Sequence, residues 1–243
     1  MQTEDHFGGA IAANYDDDEA LAAPETVTPV IDVLAELAGD GPALEFAIGT
    51  GRIALPLIKR GVPVTGIEYS QDMTDRLHAK PGGADIDVTI GDMATARVPG
   101  RFSLVYLVFN TISNLTSQEA QTACFENAAA HLAPGGYFVI ECGIPPLQKL
   151  APGETLLAFD RSETHWGMDE IDVVSQNFSS HHMRLRGGVW QRNSVPFRYV
   201  WPSELDLMAR IAGLRLTHRW ADWARNPLTA TSPSHVSVWQ KPE

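Results

Sequence analysis

Residues 43–57, ALEFAIGTGRIALPL, constrain this chain more than any other stretch. An apolar run from Ala43 to Ile48, broken only by Glu45, meets a turn at Gly49-Thr50-Gly51. Arg52 then opens an apolar helical face through Ile53, Leu55 and Leu57. Such a turn needs residues that accept positive φ and let a ligand approach the backbone closely. It also directs free amide donors, and the positive end of a helix dipole, at whatever lies beyond it. The expected product is a pocket for a nucleotide-like or acidic group at the carboxyl end of a buried strand. Pro56 reads only as a local disturbance in the first turns of the helix.

The same alternation runs through the first two thirds of the chain. Helical spacing of Val30, Ile31, Leu34, Leu37 and Ala38 predicts a helix that starts at Thr28-Pro29 and stops at Gly39. Residues 62–68, 85–90, 102–109 and 137–141 read as further buried strands, the last launched by the turn Ala133-Pro134-Gly135-Gly136. Helices are expected from Gln71 and over residues 117–132 between them. Apolar strands separated by helices predict a parallel α/β sheet covered on both faces. Residues 153–200 break the rhythm: 172–178, 181–186 and 194–200 look like antiparallel strands, with Gly187-Gly188 as a turn. Ser203 is then a candidate cap for a helix carrying Leu205, Leu207, Met208 and Ile211. A final strand pair is expected at 214–220 and 235–239. The expected organisation is an N-terminal lid segment (1–26), an α/β core (27–150), an antiparallel insertion on the substrate side (151–201), and a closing helix and strand pair (202–243).

Charge and composition exclude several partners. With 18 Lys plus Arg against 30 Asp plus Glu, the formal charge is −12, which repels phosphate backbones and argues against nucleic acid. No apolar run approaches the roughly 20 residues of a membrane helix, and the acidic start MQTEDHFGGA lacks the basic and apolar regions of an export signal. Cys124 and Cys142 have no metal or redox spacing, so a reducing cytoplasm and no metal site are expected.

Glycines alone leave two nucleotide classes open. Gly49-x-Gly51-x-x-Ala54, with the acid Glu68 downstream, also satisfies the dinucleotide pattern. A nicotinamide-dependent oxidoreductase is therefore a competing reading, although it has no recognisable catalytic Tyr-x-x-x-Lys and leaves Glu45 and Asp92 unexplained. Glu45 stands inside the first strand, within reach of the turn backbone or of a ligand ammonium. Asp92, in Gly91-Asp92-Met93, is placed to accept from an exocyclic amine, with Met93 against the ring. Taken singly, Glu68 reads equally as a solvated strand-end acid and Asp92 as a helix cap.

LEFAIGTGR, IEYSQDM, IGDM and LAPGGYFVIE, in this order and spacing, resemble the successive motifs of class I S-adenosylmethionine-dependent methyltransferases. The resemblance covers residues 27–145 and, more weakly, the last forty. It implies a Rossmann-like, seven-stranded, mostly parallel sheet with one antiparallel strand. It also implies that Gly49 and Gly51 lie under the methionine part of S-adenosylmethionine, that Glu68 holds the ribose hydroxyls, and that Asp92 and Met93 hold adenine with Tyr69 against its face. Ala47 stands where the family usually has its first glycine. Tyr15 is a candidate to close over the cofactor, as an N-terminal tyrosine does in similar enzymes. Arg52, Met73, Phe109 and Asn110 complete the expected cofactor set. Asn114, His165, His182 and Trp223 are the expected substrate contacts.

Size, insertion and the NYD near the start are also similar to natural-product methyltransferases, including amino-sugar N-methyltransferases. The implied reaction is methyl transfer to an oxygen or nitrogen of a small molecule; a non-catalytic S-adenosylmethionine-binding protein is the remaining alternative. No catalytic motif is expected, because displacement at a sulfonium needs mainly alignment and exclusion of water. Adjacent strand residues His181 and His182 must face opposite ways, so the two cannot line one pocket. The insertion and the loop at 221–233 are the expected acceptor pocket, and the insertion is also a candidate homodimer contact.

Overall fold

The computed structural model of the protein describes residues 5–17 and 23–243. The rest of the expected lid segment, 1–4 and 18–22, lies outside the described residues. After the short helix α1 (Gly9–Ala13), the chain alternates as expected. It runs through α2 (Pro24–Ala38), β1 (Ala43–Phe46), α3 (Ala54–Lys59), β2 (Val64–Glu68), α4 (Gln71–His78), β3 (Val88–Ile90), β4 (Phe102–Leu107), α5 (Gln118–His131) and β5 (Leu132–Gly143). An antiparallel meander follows, β6 (Leu156–Arg161), β7 (His165–Ile171), β8 (Asn177–Arg186) and β9 (Val189–Arg198). The chain then closes with α6 (Pro202–Ile211), β10 (Arg215–Trp220) and β11 (Ser234–Gln240).

The main sheet has the order β10-β11-β5-β4-β1-β2-β3. β11 runs antiparallel to both β5 and β10, while β1 through β5 pair in parallel. β1 shows how two faces are fed from one strand. Leu44 and Phe46 join a core with Phe125, Phe138 and Trp239, whereas Ala43 faces Leu34, Leu57 and Tyr106 on the side of α2 and α3. Those side chains are all at most 1% exposed, and each buried large apolar side chain stabilises the fold by roughly 1.5–3 kcal/mol.

Several boundaries differ from the sequence expectation for identifiable reasons. α2 starts at Pro24, not Thr28-Pro29. Proline is tolerated where the amide has no helical partner, and Pro29 is carried inside the second turn. Pro56 falls in the first turn of α3, where its missing donor costs nothing, so it is no disturbance. Ala133 to Gly136 is not a separate turn. It belongs to β5, where a register shift against β4 is absorbed by Gly135 at φ +78°. Trp201, not Ser203, precedes α6, with Pro202 as its first residue. Leu207 and Ile211 are exposed, and Leu205, Met208 and Ala209 form the buried face instead.

The insertion has four strands rather than three. β6 and β7 were not expected, and residues 172–176 are the turn between β7 and β8, with Val174 90% exposed and Gln176 at φ +62°. Gly187-Gly188 is the turn between β8 and β9, at φ +57° and +79°. A buried ion pair joins this sheet to the core. Arg198 of β9 is 4% exposed, pairs with Glu204 of α6 at 2.7 Å, and also donates to Gln121 of α5 and Gln176. Among the described residues no helix is long and apolar enough to cross a membrane.

Candidate active site

The glycine turn is built from three left-handed residues: Ala47 at φ +53°, Gly49 at +57° and Gly51 at +79°. Gly51 has no room for a Cβ, which would overlap Leu77. Glu68, at the carboxyl end of β2, locks the turn. It accepts the Gly49 amide at 2.7 Å on one oxygen, and those of Tyr69 and Ser70 at 3.0 and 2.9 Å on the other. Burial raises its pKa and the three amides lower it, with a net upward shift. The carboxylate still has lone pairs to spare for a further donor.

Beside Glu68 lies a cavity of about 150 Å³. Ala47, Ile67, Tyr69, Asp92, Met93, Asn114 and Leu115 line it from the core, Phe7 from the N-terminal segment, and Val195 and Pro196 from β9. Asp92 does both jobs considered for it: its Oδ1 accepts the Ala94 amide at 2.8 Å, capping the following turn, and the residue lines the cavity. Asn114 Oδ1 is buried there without a hydrogen-bond partner, which leaves an acceptor for an incoming amine or hydroxyl. Apolar walls with acids at their edge and an orphan amide oxygen suit an adenine ring and its exocyclic amine. Met73 packs under the turn, 3.5 Å from where a Cβ on Gly49 would stand.

Across the turn from this cavity, Arg52 lies with its guanidinium 3.9 Å from the centroid of the Phe109 ring and 6.0 Å from that of Tyr15. Phe109 and Asn110 are consecutive left-handed residues, at φ +57° and +61°, a costly conformation for a bulky side chain. β5 holds them in place. Glu141 Oε2 accepts the Phe109 amide at 2.9 Å, and the Gly143 amide donates to Asn110 Oδ1. Glu45 lies deeper, 4% exposed, accepting from the Tyr106 hydroxyl at 2.9 Å. Burial pushes its pKa to about 8, so it is protonated at neutral pH. The N-terminal segment is tied to the same turn: Thr50 Oγ1 donates to Asp16 at 2.7 Å, and Lys80 bridges Asp16 and the Thr50 carbonyl.

A second pocket, of about 410 Å³, lies between the ends of β4 and β5 and the inserted sheet. Asn110, Ser113 and Gly143 line it from the core, and Phe159, Asp169, Phe178, Ser180, His182, Phe197 and Tyr199 from the insertion. The turn Thr111–Asn114 stands between the two hollows. Asn114 therefore belongs to the smaller cavity and Asn110 to the larger pocket, the reverse of the sequence assignment. His182 hydrogen bonds to His165 at 2.9 Å, while His181 faces away toward Ser194 and Glu170. Trp223 is not in this pocket. It packs against α2 beside Pro24, Thr28 and Glu36, on the other side of the sheet near Glu141. Asp169 and Asp160 were missed by sequence reasoning: Asp160 lies on β6 and Asp169 on β7, the strand of His165, and neither strand stands out in the sequence. Among the described residues no three His, Cys, Asp or Glu side chains converge as metal ligands.

A doubly wound sheet with a hollow at the carboxyl ends of β1, β2 and the β3 turn has the layout of the nucleotide-binding α/β class. Comparison with known proteins makes it specific. The methyltransferase domain family matches residues 43–136. The CcbJ methyltransferase of Streptomyces caelestis is 36% identical, with each chain covered over 100% of its length and a TM-score of 0.88. The cypemycin N-terminal methyltransferase of a Streptomyces species is 27% identical over 206 residues, 82% of each chain. The amino pentose methyltransferase CalS10 of Micromonospora echinaspora, solved with S-adenosylmethionine, superposes with a TM-score of 0.69 at 18% identity, over 99% of this chain and 100% of that one. This chain belongs to the class I S-adenosylmethionine-dependent methyltransferases of the small-molecule type. Its cofactor is S-adenosylmethionine, and the oxidoreductase reading falls.

Proposed function

We propose that the protein methylates the nitrogen of a small amine that carries no phosphate. The observation that carries this reading is Asp169. Its Oδ1 is buried without a hydrogen-bond partner in the pocket between β5 and the insertion, and an ammonium or amine is the natural group to satisfy it. A cleft of about 880 Å³ shares Leu147, Ile171, Phe178 and Phe197 with that pocket and adds Glu154, Glu170 and Asp172. No Lys or Arg is among the described residues lining either hollow. Such a surface favours cations and disfavours a diphosphate. The curated relatives named for nucleotide-linked amino sugars, 34% and 35% identical over 98 residues, share only 40% of this chain, so their acceptors do not carry over.

The bound cofactor supplies an electrophilic methyl group on a sulfonium. On this reading Glu68 takes the ribose hydroxyls, Asp92 and Asn114 the adenine edge beside Tyr69 and Met93, and Arg52 the carboxylate of the methionine part, with Gly49 and Gly51 beneath it and Tyr15 and Phe109 around it. The core residues 27–150 bind the cofactor, and the insertion 151–201 shapes the acceptor site and shields it from water. A cytoplasmic location and a dimer contact through the insertion belong to the same reading. A panel of acceptors tests it: a methyl glycoside of a 3-amino-3,6-dideoxyhexose, a tripeptide with a free N-terminus, and the thymidine diphosphate form of the same sugar, each with labelled S-adenosylmethionine. Label in a phosphate-free amine, and none in the diphosphate, is expected; label only in the diphosphate contradicts it.

A further inference from the structure

Methyl transfer to an amine needs a free lone pair on nitrogen, yet an amine drawn to Asp169 arrives as an ammonium. Something must take its proton. Three side chains of the insertion form a line from solvent to the pocket. Asp160 of β6 lies 2.6 Å from His165 Nδ1, and His165 Nε2 lies 2.9 Å from His182 Nδ1. The two rings are parallel to within 2°, with centroids 5.1 Å apart. That separation equals the hydrogen bond plus the two ring radii, so the rings lie end to end in one plane and not face to face. Phe159, seated on Gly167 where a Cβ would overlap it, packs against both imidazoles and also lines the pocket.

Proton positions follow from the partners. A carboxylate only accepts, so His165 Nδ1 carries a hydrogen and donates to Asp160. A neutral His165 is then bare at Nε2, which accepts from His182 Nδ1–H. His182 is left bare at Nε2. Its neighbour is Ser180 Oγ at 3.3 Å, a weak contact that a stronger donor displaces.

We infer, on the amine reading above, that Asp160, His165 and His182 are a proton relay, with His182 Nε2 as the base that deprotonates the acceptor. The ammonium gives its proton to His182 Nε2, while His182 Nδ1–H passes to His165 Nε2 and the proton on His165 Nδ1 leaves by way of Asp160 to water. The freed amine lone pair forms the new N–C bond, and the electrons of the broken C–S bond return to sulfur. Burial first, and then His165, Arg184 and His181, hold His182 below the usual histidine range, while Asp160 opposes them. Asp169 faces it through Ser180. His182 is therefore neutral, and ready as a base, at neutral pH. His165 and Asp160 are positioning residues that act through it.

The first arm of the test needs no acceptor. Long-range proton–nitrogen spectra of the full chain, saturated with S-adenosylhomocysteine, read which nitrogen of each imidazole is protonated. Both histidines should be protonated at Nδ1 and bare at Nε2 at neutral pH, and Asp160→Asn, a conservative change at a half-buried position, should shift both. A His182 protonated at Nε2, or one indifferent to Asp160→Asn, overturns the relay. The second arm uses the phosphate-free amino glycoside and the tripeptide as acceptors. His182→Gln should lower kcat about a hundredfold or more with S-adenosylhomocysteine affinity unchanged. Asp160→Asn should move the acidic limb of the kcat profile to lower pH, because the lost carboxylate had favoured the imidazolium. Full activity in His182→Gln, or a limb that stays in place, overturns the relay and leaves the amine reading standing. If neither amine is methylated, the amine reading fails, and the spectra still decide the tautomers.

Discussion

Glu68 accepts the amide of Gly49 at 2.7 Å, so the acid that ends one strand sets the shape of the turn that ends its neighbour. Its removal should therefore act twice. Glu68→Ala leaves the Gly49, Tyr69 and Ser70 amides without their acceptor, at about 1–3 kcal/mol for each that stays dry, and should lower the melting temperature. Glu68→Gln keeps one acceptor oxygen, enough for the Tyr69 and Ser70 amides, but turns its NH2 toward the Gly49 amide and loses the charge, so it should melt below the parent and above Glu68→Ala. Both should weaken S-adenosylhomocysteine at least tenfold in a calorimetric titration. Unchanged affinity in Glu68→Gln would move the ribose elsewhere.

Ala47 at φ +53° holds a conformation that costs an L-residue about 1–2 kcal/mol. Ala47→Gly removes that strain and loses roughly 0.5–1 kcal/mol to chain entropy. The variant should melt at the same temperature or slightly higher, with cofactor affinity retained. Ala47→Val, β-branched, should lower both. A glycine variant that melts well below the parent would show that the methyl group of Ala47 contributes packing the backbone does not reveal.

Glu45 gives the pH dependence of stability. Its pKa rises from 4.5 in the unfolded chain to about 8 in the fold, because of burial, and Tyr106 and Arg52 only partly oppose this. A raised pKa means that the folded state binds the proton more tightly. Its stabilising effect is complete below about 4.5 and is lost as pH climbs toward 8. The difference in melting temperature between Glu45→Gln and the parent, measured without cofactor, should therefore grow in favour of the variant from pH 5 to pH 8. A difference that is flat with pH would show Glu45 ionised in the fold.

Asp169 and Trp223 separate the two sides of the sheet. Asp169→Asn should raise KM for an amine acceptor about tenfold and leave S-adenosylhomocysteine affinity alone. Trp223→Phe, at a residue beside Glu141 that does not line that pocket, should leave acceptor KM unaltered. Steady-state kinetics with the amine panel check both, and a large acceptor effect from Trp223 would place part of the acceptor site on the α2 side.

How much of this was legible depended on what each residue's role rests on. β1, β2, β4 and β5 are buried on both faces, so their apolar runs announce them, and the turn glycines need their positive φ whatever packs around them. β6 and β7 gave no signal because few of their residues are buried; in β7 only Gly167 and Ile171 are, and in β6 none. Val173 and Val174 have strand propensity but sit in a turn, where tertiary context overrides it. Asn110 and Asn114 exchanged sides because the left-handed backbone at Asn110 turns the next residues, and nothing in the sequence marks an asparagine for that. The pairing of His165 with His182 depends on register: His165 stands opposite Arg184 and His182 opposite Gly167, so the imidazoles meet on the diagonal. Trp223 went the other way because the loop that carries it folds back onto α2, a contact set only in three dimensions.

Nitrogen as the methylated atom is what the roles of Asp169 and His182 both require. Carbon NMR of the product made with S-adenosylmethionine labelled with carbon-13 in its methyl group, and the phosphate-free amino glycoside as acceptor, reads that atom directly from the shift of the transferred carbon. A single N-methyl resonance that moves as the amine titrates is expected. A methyl resonance at the oxygen or carbon position, insensitive to pH, would contradict it.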